Sequence, residues 1–301
     1  MINPLVSFAH SGGEAFYPFL WKNYIGGMTP CLGLAGRNVP DVSPYRYGGT
    51  LFGSASGLTV TGSPVGPAIR FNGSTSIQWD GHSTLGNKFK VAGSYTADFS
   101  YLPLTIHAYF RYVHKGTVTK MSLFRSDNPL VSDDTEYGYH LYVEANGDSL
   151  VFESHRGEKA SNPMPIYTAT GELTGDKWHN VVVTYYPWDA DAEYGQYVMM
   201  NIDGRWIRPD FNWPTITERY IIHSASKHSR CGSSFGNTAP DLEVALVEIW
   251  SQRLPWRTIN LLMANPLAVF QRVKRRKEKI NIGWLQPLEV VPHEEELVIG
   301  Y

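Results

Sequence analysis

The 301-residue chain is 43% hydrophobic and 18% charged, with a formal net charge of −2. That is enough apolar material to bury a core and too much to leave the chain disordered, and the near-neutral balance excludes a global basic field for nucleic acid or anionic lipid. No run of 18 uninterrupted apolar residues occurs, so no membrane-spanning helix is expected.

In chain order, Met1-Ile2-Asn3-Pro4-Leu5 has neither the basic start nor the apolar run of a signal peptide, which implies synthesis and retention in the cytoplasm. Ala68 to Trp79 reads as a hairpin turning at Asn72-Gly73, because both residue types tolerate positive φ. Leu104 to Val113 alternates, with Leu104, Ile106, Ala108 and Phe110 on one face. Tyr137 to Val143 and Ser149 to Ser154 flank Asn146-Gly147-Asp148, a second hairpin. Trp178 to Tyr186 carries Val181, Val182 and Val183 in succession, as a strand buried on both faces does. Gln196 to Ile202 and Trp206 to Ile207 surround Asp203-Gly204, a third hairpin, and Leu242 to Trp250 is a further Val- and Ile-rich run. An aromatic share of 13%, with 28 Gly and 19 Pro for turns, suits many short strands. Strands without intervening helices mean a sandwich or a barrel.

One helix is expected after the last long strand. Pro255 suits its first turn, Trp256, Ile259, Leu262 and Met263 share a face, and Asn265-Pro266 ends it. It is short and is expected to seal an edge or mouth of the sandwich. The domain is therefore expected over 1–266. The remaining 267–301 form a C-terminal tail with a basic cluster, Arg272, Lys274, Arg275, Arg276, Lys277 and Lys279, and an acidic one, Glu294 to Glu296. A solvated tail and a docking segment are the two readings of such charge blocks. Cys31 and Cys231 are too few for a disulfide framework; two isolated buried thiols are expected, with pairing in space as the alternative.

Six segments carry a resemblance: Gly48 to Gly53 (GGTLFG), Ala68 to Ser74 (AIRFNGS), Leu104 to Phe110 (LTIHAYF), Gly175 to Tyr185 (GDKWHNVVVTY), Asn201 to Gly204 (NIDG) and Leu246 to Trp250 (LVEIW) before Arg253-Leu254. Their order resembles the laminin-G-like, concanavalin-A-like jelly rolls of bacterial and phage proteins, over about Gly48 to Pro266. The resemblance implies a two-sheet antiparallel jelly-roll sandwich. The junction Met263 to Phe270 is similar to the ending of such domains in phage structural proteins, and so implies a virion subunit, of capsid or tail, made in the host cytoplasm and docked to other virion proteins or to copies of itself. The first 40 residues have no counterpart in the family. Leu85 to Ser100 and Trp213 to Pro240 read as long insertions, loops that would set partner choice.

The same fold hosts polysaccharide hydrolases, which need two carboxylates aimed together into a cleft. Asp189, Asp191 and Glu193 alternate, but they follow Pro187 and lack β-branched neighbours, so a solvated loop is expected and no catalytic residue is assigned. These acids, with Asp127 and Asp133-Asp134, are the candidates for calcium; no cofactor is otherwise expected. Among the histidines, His107, His179, His223 and His228 show no zinc spacing, and His179 is expected to pack or hydrogen-bond within the sandwich. No Gly-x-Ser-x-Gly elbow, phosphate loop or dinucleotide fingerprint occurs. Trp188, Trp206, Trp213 and Tyr220 lie in or beside expected loops and are the candidates for stacking on a surface polysaccharide, the alternative to the structural role; core packing is their other reading.

Overall fold

A computed structural model describes residues 15–34, 37–39, 49–52, 59–71, 76–79, 103–112, 120–125, 137–144, 148–156, 166–186, 198–212, 229–232 and 242–271. Its strands are β1 (Tyr24–Met28), β2 (Asn38–Val39), β3 (Gly49–Phe52), β4 (Thr59–Ser63), β5 (Gly66–Phe71), β6 (Ser76–Trp79), β7 (Leu104–Tyr112), β8 (Lys120–Arg125), β9 (Tyr137–Glu144), β10 (Ser149–Arg156), β11 (Ile166–Ala169), β12 (Trp178–Tyr185), β13 (Val198–Ile202), β14 (Arg205–Ile207), β15 (Asp210–Asn212), β16 (Ser229–Cys231) and β17 (Leu242–Trp250). The helix α1 spans Trp256–Ala264. The strands form two antiparallel sheets. The first runs β14-β13-β12-β7-β17-β5-β4, with β1 also on β17, and the second runs β15-β11-β10-β9-β8-β16-β6-β3-β2. This is the two-sheet sandwich that the resemblance implies, one of the two architectures, sandwich or barrel, that the strand pattern leaves open.

Between the sheets, alternate residues interdigitate: Ile106, Ala108 and Phe110 of β7, Val181 and Val183 of β12, Val247 and Ile249 of β17, against Leu141 and Val143 of β9 and Leu150 and Phe152 of β10. In β17 a bulge between Val244 and Leu246 shifts the alternation, so Ala245 and Leu246 join a cluster on the other side of the sheet. One half of that strand pairs with β5 and the other with β1. Every residue of β17 is buried, because the first sheet is covered on both faces.

The second cover is built from the two ends of the described chain. A 3-10 turn at Pro18–Trp21, strand β1, α1 and a 3-10 turn at Ala268–Phe270 pack Leu20, Tyr24, Leu254, Ile259, Leu262 and Val269 around Val182 and Trp250. Trp250 donates its indole N–H to Leu20 O at 2.7 Å, Trp21 donates to Val269 O at 3.1 Å, and Phe16 N–H donates to Gln271 O at 3.0 Å. The helix therefore lies over a sheet face, where an edge or mouth was expected. Ile259 and Leu262 are buried as expected, but Trp256 is 60% exposed. The packed body continues to Gln271, five residues beyond the boundary expected at Pro266.

The second and third expected hairpins are present, as β9–β10 and β13–β14. The first is not: β5 belongs to the first sheet, paired with β4 and β17, whereas β6 belongs to the second, paired with β3 and β16. Asn72-Gly73 itself lies outside the described residues. The expected insertion Trp213 to Pro240 contains β16, which is central in the second sheet; Leu85 to Ser100 lies outside the described residues. Cys31 and Cys231 are free and buried. Cys31 packs in the outer cluster and Cys231 in the core between the sheets, so the first sheet separates them.

Candidate functional site

Of the four aromatic candidates, Trp206 lies within the described residues; Trp188, Trp213 and Tyr220 lie outside them, as do the calcium candidates Asp189, Asp191 and Glu193 and the basic cluster Arg272, Lys274, Arg275, Arg276, Lys277 and Lys279. Trp206 stands on β14, 38% exposed, at the end of the first sheet. Its place is set by Asp203 and Gly204, with φ of 51° and 86°. Two successive positive φ values make the tight turn whose twist matches a hairpin. The turn puts Trp206 directly opposite Asn201 of β13.

Asn201 is fully buried, and neither its amide nitrogen nor its amide oxygen has a hydrogen-bond partner among the described residues. Sequence reading places it within the Gln196 to Ile202 strand and gives it no role, since nothing local shows that its amide is left without a partner. A polar row continues across the outer face of the sheet. Asn201 faces Val182, Val182 faces His107, and His107 faces Glu248. His107 Nδ1 lies 2.7 Å from Glu248 Oε2 and its Nε2 lies 2.7 Å from Asn180 Oδ1. Asn180 in turn donates its amide N–H groups to Leu262 O at 2.9 Å and Met263 O at 3.1 Å, tying the last turn of α1 to the sheet. Burial pushes the Glu248 carboxyl up, and the hydrogen bond and charge of His107 pull it back.

Below the turn, Asp203 Oδ2 lies 2.7 Å from His179 Nδ1, and its Oδ1 accepts from the Asn180 backbone N–H at 2.8 Å. His179 is hydrogen-bonded within the sandwich, as expected from its strand. Burial lowers its pKa, but the hydrogen bonds to Asp203 and to the Thr174 carbonyl more than offset this, and the net direction is upward.

A second polar cluster lies on the outer face of the second sheet. Ser122 Oγ is 2.8 Å from His140 Nε2, and His140 Nδ1 is 3.8 Å from Glu153 Oε2. The residue types suggest a serine–histidine–acid relay, but the acid is held elsewhere. Glu153 Oε1 accepts from Tyr142 OH at 2.5 Å and pairs with Lys120 Nζ at 3.1 Å. Lys120 also sits 4.6 Å above the Tyr142 ring. Burial, then the Glu153 charge, holds the Tyr142 phenol protonated far above its usual range. The residue opposite Glu153 is His140, Glu144 faces Ser149, and Asp210 lies on the same face by register, opposite Thr168. That places the two glutamate Cα atoms about 13 Å apart along the strands. Among the described residues no group of three or more His, Cys, Asp or Glu is placed to hold a metal ion.

No family model and no curated protein sequence matches the chain. Solved structures do. A structure of botulinum neurotoxin type C, described by the dependence of cell entry on interaction with two ganglioside molecules, matches with a TM-score of 0.56 at 12% identity, covering 85% of this chain and 53% of that one. The binding domain of botulinum neurotoxin DC in complex with rat synaptotagmin II matches with a TM-score of 0.53 at 14% identity, covering 84% and 53%. The binding domain of Paraclostridial Mosquitocidal Protein 1 matches with a TM-score of 0.51 at 15% identity, covering 81% and 52%. The chain spans about half the length of these structures. At such identities the likeness is one of fold, a jelly-roll-like β-sandwich.

Proposed function

We propose that the chain is a non-enzymatic recognition module, a lectin-like sandwich that binds a surface glycan at the β13–β14 end of its first sheet. The observation that carries this is the exposed indole of Trp206, held at the end of the sheet by the Asp203-Gly204 turn. A flat indole stacks on the apolar face of a sugar ring. The solved structures of like fold are described by ganglioside and synaptotagmin binding, which supports recognition as the role. The commitment of Glu153 to Tyr142 and Lys120 supports the non-enzymatic reading. The test is a glycan array followed by calorimetry on each hit. Trp206→Ala should weaken binding at least tenfold with an unchanged melting curve. An array without hits, or full binding by the variant, overturns the proposal.

A second reading concerns the setting of the module. The Met263 to Phe270 junction, similar to phage structural proteins, and the cationic segment beyond it support a virion subunit whose 272–301 segment docks on neighbouring virion proteins. A chain ending at Gln271 should fold and fail to enter particles; normal incorporation counts against this role.

A further inference from the structure

Besides β1, which is buried throughout and bulged between Tyr24 and Gly26, the two sheets have four strands with a single neighbour among the described residues, and they differ in kind. Three are short: Arg205–Ile207, Asp210–Asn212 and Asn38–Val39. The first of these carries Arg205, ion-paired to Glu172. The fourth, β4, is five residues long, Thr59-Val60-Thr61-Gly62-Ser63, without charge, proline or bulge. Thr59, Val60 and Gly62 are exposed, Val60 by 54%. Natural sheets protect such edges with lysine, proline, bulges or brevity; β4 has none of these.

The hairpin with β5 determines which backbone groups face outward. Its two-residue turn, Pro64-Val65, closes at the pair Ser63 and Gly66, and the Ser63 hydroxyl accepts from Val65 N–H at 3.2 Å and donates to Gly66 O at 2.7 Å. The closing pair of such a turn is hydrogen-bonded, and hydrogen-bonded and open pairs then alternate. Thr61 with Ala68, and Thr59 with Arg70, therefore bond inward, while Val60 and Gly62 direct their N–H and C=O groups away from the sheet. Pro67 opposite Gly62 fits, since that position needs no donor toward β4.

We infer that β4 is a self-association edge: two copies of the chain pair their β4 strands antiparallel about a two-fold axis at Thr61, joining the two first sheets into one. The strand is self-complementary in this register. Val60 faces Gly62 of the second copy in a hydrogen-bonded pair, the symmetric pair repeats it, and four backbone hydrogen bonds form. An uncharged strand meets itself without like-charge repulsion, and the two exposed Val60 side chains become diagonal neighbours on one face.

The test uses the full chain in analytical ultracentrifugation across micromolar concentrations. The wild type should show a monomer–dimer equilibrium. Val60→Pro removes an N–H that faces outward and so breaks no hydrogen bond within the sheet, and Gly62→Lys adds a charge where a Cβ meets nothing within 4 Å. Both variants should be monomeric with wild-type circular dichroism and melting. Thr61→Cys reads the register: the two-fold puts residue 61 opposite itself in an open pair, with Cα atoms about 4.5 Å apart, within disulfide range. Cys31 and Cys231 are fully buried and do not compete. Rapid formation of a covalent dimer by Thr61→Cys, with little from Thr59→Cys, is expected. A wild-type monomer throughout, a dimer insensitive to both edge variants, or equal cross-linking at positions 59 and 61 overturns the proposal. Glycan binding by a monomer would leave the recognition reading standing while removing this one.

Discussion

At His179 one ring nitrogen faces both hydrogen-bonding groups of a single residue. Nε2 lies 3.1 Å from Thr174 N and 2.8 Å from Thr174 O. Neutral, the ring donates from Nδ1 to Asp203 and accepts the Thr174 N–H; protonated, it donates to the carboxylate and to the carbonyl. Its folded pKa lies above the ordinary 6.5, so the stabilisation is fully present below that value and is lost as pH rises through the folded pKa. Asp203→Asn keeps a residue that tolerates positive φ and removes the charge. Its melting deficit relative to wild type should therefore be largest near pH 6 and shrink toward pH 9. A deficit independent of pH would remove His179 as its cause. The His107–Glu248 pair is fully buried, so truncating one member strands the other. Glu248→Ala should cost about 3–5 kcal/mol in urea unfolding, and the double change to His107→Phe and Glu248→Leu much less. Both residues stand within runs that read as strands, but they are 141 positions apart, so nothing local in the sequence announces their contact.

Among the elements, β1 depends on a missing side chain. A Cβ on Gly27 would meet Val247 O at 2.0 Å, a backbone atom that cannot turn away. Gly27→Ala should lift β1 off β17, costing about 3 kcal/mol or more, and red-shift the emission of Trp250, which Tyr24 and Leu20 help to enclose. Turn chemistry was legible where both flanking strands stay in one layer, as at Asp203-Gly204. The same reading failed at Asn72-Gly73, because a dipeptide's φ preference does not record which sheet its neighbours join. The face of α1 was legible at Ile259 and Leu262 and failed at Trp256, since periodicity cannot tell how far the sheet beneath the helix extends.

At the scale of the molecule, the two ends of the described chain meet at the Phe16–Gln271 hydrogen bond, over a cover contributed by both. A chain ending at Gln271 should melt with the full-length protein. One ending at Pro266 loses buried Ala268 and Val269 and the acceptor of the Trp21 indole, and should be about 2–4 kcal/mol less stable. Equal melting of the two truncations would show that the C-terminal cover adds nothing. Burial pushes both cysteine thiols far above their ordinary range, with a smaller contribution from Glu248 at Cys31, so alkylation of either should require unfolding.

By itself the sequence determined the fold class, the strands whose residues are buried on both faces, and the type of the β13–β14 turn. Each of these follows from local alternation, β-branching or φ tolerance, quantities a short window contains. Only the tertiary structure decided that the two ends of the described chain cover the first sheet, that Trp206 is paired opposite Asn201, that Glu153 belongs to Tyr142 and Lys120, and that β4 is an exposed, uncharged edge among the described residues. Those outcomes depend on which strands become neighbours, and that choice rests on the summed burial of side chains far apart in the chain.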